Sequence, residues 1–233
     1  MSIIHINDIA LQVIRSARRK SIAIKIQDGK VSLHLPKLMP LWLAKQFVMR
    51  KQHWINSKLQ QYQLRPPERQ FVQGELQPFM GEHYPLDIVC ETNRQRTHIK
   101  LEQKKLIILA PINVSSLQVR QTLTRWYKRQ AESLLIARVK LLAEQTGLSP
   151  KQVKIKSYKA RWGSCNLRGE IQLNWQLVQA TQAINDYVII HELCHLQQHN
   201  HSKAFWDLVE RFDPNYREHR SWLKNHGHQL VIM

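Results

Sequence analysis

His191, Glu192 and His195 stand in the order H-E-x-x-H, and a further histidine follows at His201. On a helix, residues four apart share one face a turn apart. The imidazoles of His191 and His195 are therefore spaced to reach a single cation at about 2.0–2.1 Å. Glu192, rotated about 100° from its neighbour, is too far off that line to be a third ligand, yet close enough to hold a polarised water. The chemistry this pattern predicts is hydrolysis by metal-activated water with Glu192 as general base. The competing reading is a solvated, histidine-rich helix face, since the chain holds 12 histidines among 233 residues. The flanking residues argue against it. Ile184, Tyr187, Val188, Ile189, Ile190 and Leu193 make the segment apolar on most sides, which marks a buried helix. Buried imidazoles and a buried carboxylate need partners, and a metal supplies them.

His201 is the expected third ligand, leaving a fourth position open. The spacing His195-x-x-x-x-x-His201 is that of metzincins, where a sharp turn after the helix returns a third histidine. Those proteins place glycine in the turn for its left-handed backbone. Here Gln198 occupies that place, and Asn200 is the residue expected to turn left-handed and end the helix. His199, and Glu210 or Glu218 from a later helix, are the alternatives. Tyr216, His219, Arg161 and Tyr187 are candidates to stabilise a developing oxyanion. Asp186, Asn174 and Asp207 are candidates to orient the imidazoles.

Upstream run Arg161-Trp162-Gly163-Ser164-Cys165 and Leu173-Asn174-Trp175. Ile171, Leu173 and Trp175 alternate with polar residues, which predicts a half-buried strand able to receive an extended substrate. Trp162 and Trp175 are expected in the core. Taken with Asp186 to Leu196, Asn200-His201-Ser202, Phe205-Trp206 and the early run Arg15 to Ile22, these motifs resemble the YgjP-like family of predicted metal-dependent hydrolases, related to SprT and WLM zinc peptidases. The resemblance spans nearly the whole chain. It implies a zincin-like catalytic core with His191, His195 and His201 as ligands of one zinc ion and Glu192 as base. Cys194 departs from the alanine common at that position and is expected to pack as a small apolar side chain.

Two classes of partner follow. A metallopeptidase takes a peptide or protein substrate. The formal charge of +18, from 35 basic and 17 acidic residues, also favours an anionic partner such as nucleic acid. The alternative function is therefore a nucleic-acid-associated protein in which the basic surface dominates and the zinc is mainly structural; a blend of the two, implied by the SprT and WLM relatives, is a protease for DNA-linked proteins. A two-metal nuclease is disfavoured, because such sites are carboxylate-rich. No apolar run approaches a membrane span. The start of the chain lacks a basic-then-apolar secretory pattern, and three scattered cysteines form no disulfide framework. These features predict a cytoplasmic protein.

The elements that must position the site read as α+β: a strand-rich N-terminal region with one helix over 1–111, then a zincin-like catalytic half over 112–233. Strands are expected through residue 35, with a hairpin at Asp28-Gly29. One helix is expected over 41–62, its apolar face holding Trp42, Phe47, Trp54, Ile55 and Leu59, ended by Pro66-Pro67. Strands return over 70–110. Asn113 or Ser115 opens a long helix running to about Gln145, and Gly147 stops it. Further strands lie at 152–157 and 170–175, followed by helices over 182–198, 202–212 and 214–226. Arg15, Arg18, Arg19 and Lys20 are expected on a presented loop, and no internal repeat is expected.

Overall fold

The structure, a computed structural model, describes residues 2–27, 29–63 and 69–231. It is α+β, as expected, and its chain divides into two compact units, Met1–Pro67 and Glu68–Met233.

The first unit holds strands β1 (Ser2–Ile6), β2 (Ile9–Ser16), β3 (Ala23–Gln27) and β4 (Lys30–Pro36) in the sheet order β1-β2-β4-β3. Strand alternation buries Leu11, Val13, Val31, Leu33 and Leu35 on one face. Helices α1 (Leu41–Arg50) and α2 (Gln52–Gln63) add Ala44, Val48 and Ile55 to that core. The single helix expected over 41–62 is thus two, broken at Lys51. Its face is also rotated from the expectation, because Trp42 and Trp54 remain exposed. Arg15 lies on β2, not on a loop, and although exposed its guanidinium donates to the carbonyls of Lys37 (2.9 Å) and Met39 (2.8 Å). β3 and β4 do form the expected hairpin, although Asp28 lies outside the described residues, as do Pro66 and Pro67.

The second unit begins with the same plan. Strands β5 (Leu76–Phe79), β6 (Glu82–Glu91), β7 (His98–Glu102) and β8 (Lys105–Pro111) form a sheet in the order β5-β6-β8-β7. In the first unit Leu11 lies opposite Val31 and Ser16 opposite Pro36 across a parallel pair; in the second, Leu86 lies opposite Leu106 and Glu91 opposite Pro111, each residue 75 further along. The antiparallel pairing of Ala23 with His34 recurs at the same offset as His98 with Leu109. The helix after each sheet starts at that offset too, at Leu41 and at Ser116. The chain therefore does contain an internal repeat, contrary to expectation.

In the second copy the helix is much longer. α3 (Ser116–Thr146) opens on a capping box between Ser115 and Gln118 and closes on Gly147 in the left-handed region at φ 73°. Its residues Val119, Leu123, Trp126 and Tyr127 share one core with Leu106, Ile108 and Ala110 of β8. The boundary expected near Pro111 falls inside the second unit, where β8 and α3 contribute residues to one core. Then come β9 (Gln152–Lys156), β10 (Gly163–Cys165) and β11 (Glu170–Asn174), a three-stranded sheet in the order β10-β11-β9 that leaves β10 at an edge. A short 3-10 turn over Trp175–Gln179 leads to α4 (Gln182–Cys194), followed by α5 (Lys203–Phe212) and α6 (Tyr216–His226). Among the described residues no helix is long and apolar enough to cross a membrane.

Candidate metal centre

α4 is buried on most sides, with Ile184, Tyr187, Val188, Ile189, Ile190, Leu193 and Cys194 all in the core. Arg138 on α3 fixes it from one side by a two-pronged ion pair with Asp186, at 2.6 and 2.7 Å. The helix stops at Cys194, several residues before the expected end at 198, and His195 is its C-cap. A tight turn follows, in which the amides of Gln197 (3.1 Å) and Gln198 (2.9 Å) donate to the Cys194 carbonyl. Asn200 is not left-handed: no residue between His195 and His201 has positive φ. Ending the helix early lets ordinary backbone bring His201 back, so no glycine is needed.

One ring nitrogen from each of His191, His195 and His201 lies within 4.8 Å of the other two. This is the set expected from the spacing. No such group among the described residues includes His199, Glu210 or Glu218, and Glu210 instead pairs with Arg217 at 3.2 Å. His195 Nδ1 lies 2.9 Å from the Gln198 carbonyl oxygen. A carbonyl only accepts, so Nδ1 carries the proton and Nε2 is left with a lone pair for the site. His191 Nε2 and His201 Nε2 face each other at 3.1 Å, and His191 Nδ1 is buried without a hydrogen-bond partner. Burial, with the adjacent imidazoles second, pulls His191 down to about 3; burial also lowers His195. Three imidazoles converging on one point suit a borderline-soft divalent cation such as zinc.

Glu192 is 5% exposed, and burial pushes its carboxyl up to about 8, with Arg161 pulling the other way. It is held against Gly163 of β10. A Cβ on Gly163 would sit 2.5 Å from Glu192 Oε1 and 2.7 Å from its Cγ. Only glycine lets the edge strand and the carboxylate come this close, a requirement invisible in the sequence because the two residues lie 29 positions apart.

Beside the pair opens a cleft of about 320 Å³, lined among others by Trp162, Tyr187, Val188, His191, Glu192 and Leu223. Trp162, expected in the core, is a wall of this cleft, whereas Trp175 is buried as expected. Of the oxyanion candidates, Tyr187 reaches the cleft and Arg161 acts on Glu192. His219 is engaged by Asp213 at 2.8 Å, and the Tyr216 ring stacks on Trp206 at 5.3 Å. None of the three residues expected to orient the imidazoles is bonded to one. Asp186 holds Arg138, Asp207 holds Lys203, and Asn174 donates to the carbonyls of Tyr158 and Arg161, anchoring the loop that carries Trp162. The orienting group is the Gln198 carbonyl, which any residue type could supply and no sequence signal marks. Burial raises Cys194 to about 12, consistent with a packing role.

A buried H-E-x-x-H helix with a third histidine folded back upon it, beside an edge strand, is the arrangement of a metal-dependent peptidase. A family model described as YgjP-like, metallopeptidase domain, matches residues 20–226, and the chain belongs to the YgjP-like family. Among solved structures it is similar to the metallopeptidase zymogen abylysin of Pyrococcus abyssi, at 24% identity and a TM-score of 0.36, over 39% of this chain and 94% of that one. No curated protein matches the chain in sequence.

Proposed function

We propose that the chain is a zinc-dependent metallopeptidase in which His191, His195 and His201 hold one zinc ion and Glu192 is the general base. The observation that carries this reading is the convergence of three imidazoles next to a buried carboxylate at the head of a cleft. Zinc, when bound, supplies the positive charge that brings the acidity of water to about pH 7. The chain's own residues do the rest. The edge of β10 offers unpaired backbone groups along which an extended peptide adds as a strand. Glu192 takes the water proton on its carboxylate and delivers it to the leaving amine nitrogen. Tyr187, which lines the cleft, is the candidate to stabilise the negative charge that develops on the carbonyl oxygen. Glu192→Gln keeps the shape and removes the base, so it should retain about one zinc per chain by mass spectrometry and lose hydrolysis of a peptide library. A Glu192→Gln protein that hydrolyses normally refutes the mechanism.

A second reading, a nucleic-acid partner, is favoured by a groove of about 830 Å³ between α3 and β7. Arg96, Arg125, Lys128 and Arg129 line it against one acid, Glu132, and no ion pair among the described residues neutralises the four. Binding of a single-stranded oligonucleotide should then weaken with salt, log K falling by about 0.7 per log salt for each phosphate neutralised. Absence of binding at low salt removes this reading.

A further inference from the structure

The cleft beside Glu192 carries more information than the site itself uses. Its walls are apolar where Trp162, Val188 and Leu223 line it, yet two cations, Arg220 and Lys224, line it as well. They are four residues apart on α6 and so share its face, an arrangement of like charges that disfavours a helix. The neighbouring cation on α6, Arg217, is matched by Glu210. Arg220 and Lys224 are not: no acidic group among the described residues pairs with either. Arg220 is also held in place, its guanidinium carbon 4.6 Å from the centre of the Trp206 ring, a stacking that restrains the side chain. Two unmatched cations in a partly apolar cleft that begins at the base are the complement of a short apolar stem ending in a carboxylate.

We propose that this cleft is the substrate's side-chain pocket next to the scissile bond, and that Arg220 and Lys224 make it select a carboxylate. The proposal rests on the peptidase reading above and adds the substrate class: peptides with an acidic residue at one fixed position beside the cut. The stem of a glutamate packs on Trp162, Val188 and Leu223 while its carboxylate lies between the two cations. A volume of about 320 Å³ leaves room for one such side chain. A free chain terminus offers the same chemistry, so peptides with free and amidated C-termini separate the two sources.

The test uses the full chain loaded with zinc and a mixture of peptides whose cut sites are mapped by mass spectrometry. Glutamate or aspartate at the fixed position should raise kcat/KM at least 10-fold over glutamine or asparagine. The ratio should fall to within about 2-fold in Arg220→Gln/Lys224→Gln, and lysine should become preferred in Arg220→Glu/Lys224→Glu. Lys224→Gln alone, at an exposed position, should lower the ratio without a folding penalty. An acid preference lost on amidation assigns the pocket to the chain terminus. Equal rates for glutamate and glutamine peptides in the unmodified chain, or a preference that survives the double substitution, overturns the proposal. A second measurement separates this from failure of the peptidase reading. Glu192→Gln protein should bind a fluorescent glutamate peptide at least 10-fold tighter than its glutamine isostere. If nothing is cleaved but that difference holds, the peptidase reading falls and the carboxylate pocket stands; if the difference is absent, the pocket falls too.

Discussion

Replacing Gly163 by alanine isolates the fit between β10 and Glu192. The new Cβ would lie 2.5 Å from Oε1, 2.7 Å from Cγ and 2.9 Å from Cδ of Glu192, whereas carbon contacts settle at about 3.5–4.0 Å. The backbone of Gly163 is outside the left-handed region, so the effect is steric and not conformational. Something must therefore move by about 1 Å. Glu192 is buried, so it cannot swing into solvent without disturbing the cleft, and β10 is held by its pairing with β11. A displacement of that size at a catalytic group costs about 10²-fold in rate, which is about 2.7 kcal/mol of transition-state stabilisation. Overpacking costs a further 1–3 kcal/mol of stability, roughly. The three atoms that the new Cβ meets first all belong to Glu192 and none to His191, His195 or His201, so zinc content should stay near one per chain. The assay is kcat/KM on a cleaved peptide, with zinc by mass spectrometry on the same sample. Placed on a Glu192→Gln background, Gly163→Ala should cost little more, because the two act on one group. A Gly163→Ala enzyme with intact zinc and activity within about threefold of the unmodified chain would refute the claim that this contact positions the base.

Other outcomes follow from the same geometry. His195→Ala and His201→Ala should each lose zinc on dialysis, and zinc retained in His201→Ala would move the third ligand elsewhere. In the metal-free protein, Glu192 carries a folded pKa of about 8 against an unfolded value of about 4.3. The stability that goes with its protonated form is complete below the unfolded value and is lost as pH rises through 8. Glu192→Gln should therefore leave Tm unchanged near pH 4 and raise it at pH 9 by at least about 3 °C, the shift worth about 1 kcal/mol in a chain of this size; equal effects at both pH values would contradict the burial argument. Ser115→Ala removes half of the α3 capping box and should cost about 1 kcal/mol in a urea melt, with no change in zinc content.

What could be read from the sequence and what could not divide along a physical line. The ligand spacing, the buried character of α4, the capping of α3 and the stop at Gly147 are local, each written within a few turns of chain. The wall made by Trp162, the fit of Gly163 against Glu192 and the service of Gln198 to His195 are set by tertiary approach. In the last case the functional atom is a backbone carbonyl, which carries no residue signature. The same holds for the anchoring role of Asn174, which looked like a partner for an imidazole and instead ties down two carbonyls of the preceding loop.

The repeat shows why identity is a poor guide to architecture here. At the common offset of 75 residues, Leu11 and Leu86, Ile24 and Ile99, and Pro36 and Pro111 are conserved in type, but most surface positions are not. What persists is the pattern of burial: Leu33 with Ile108, Leu35 with Ala110, Ala44 with Val119, Val48 with Leu123, every one of them in a core. Two sheets and two helix starts are specified by volume and alternation, which tolerate exchange among aliphatic residues. The copies part company where the helices do. In the first, the helix breaks at Lys51. In the second, the corresponding position is Trp126, which packs on Phe79 with ring centres 4.8 Å apart. Tyr127 follows, stacking on Trp175 at 6.1 Å and donating to the Pro78 carbonyl at 2.6 Å. That aromatic cluster carries α3 onward for five further turns, and the extension supplies Arg138 for the ion pair that fixes α4. α4 is therefore positioned by the part of α3 that the first copy lacks.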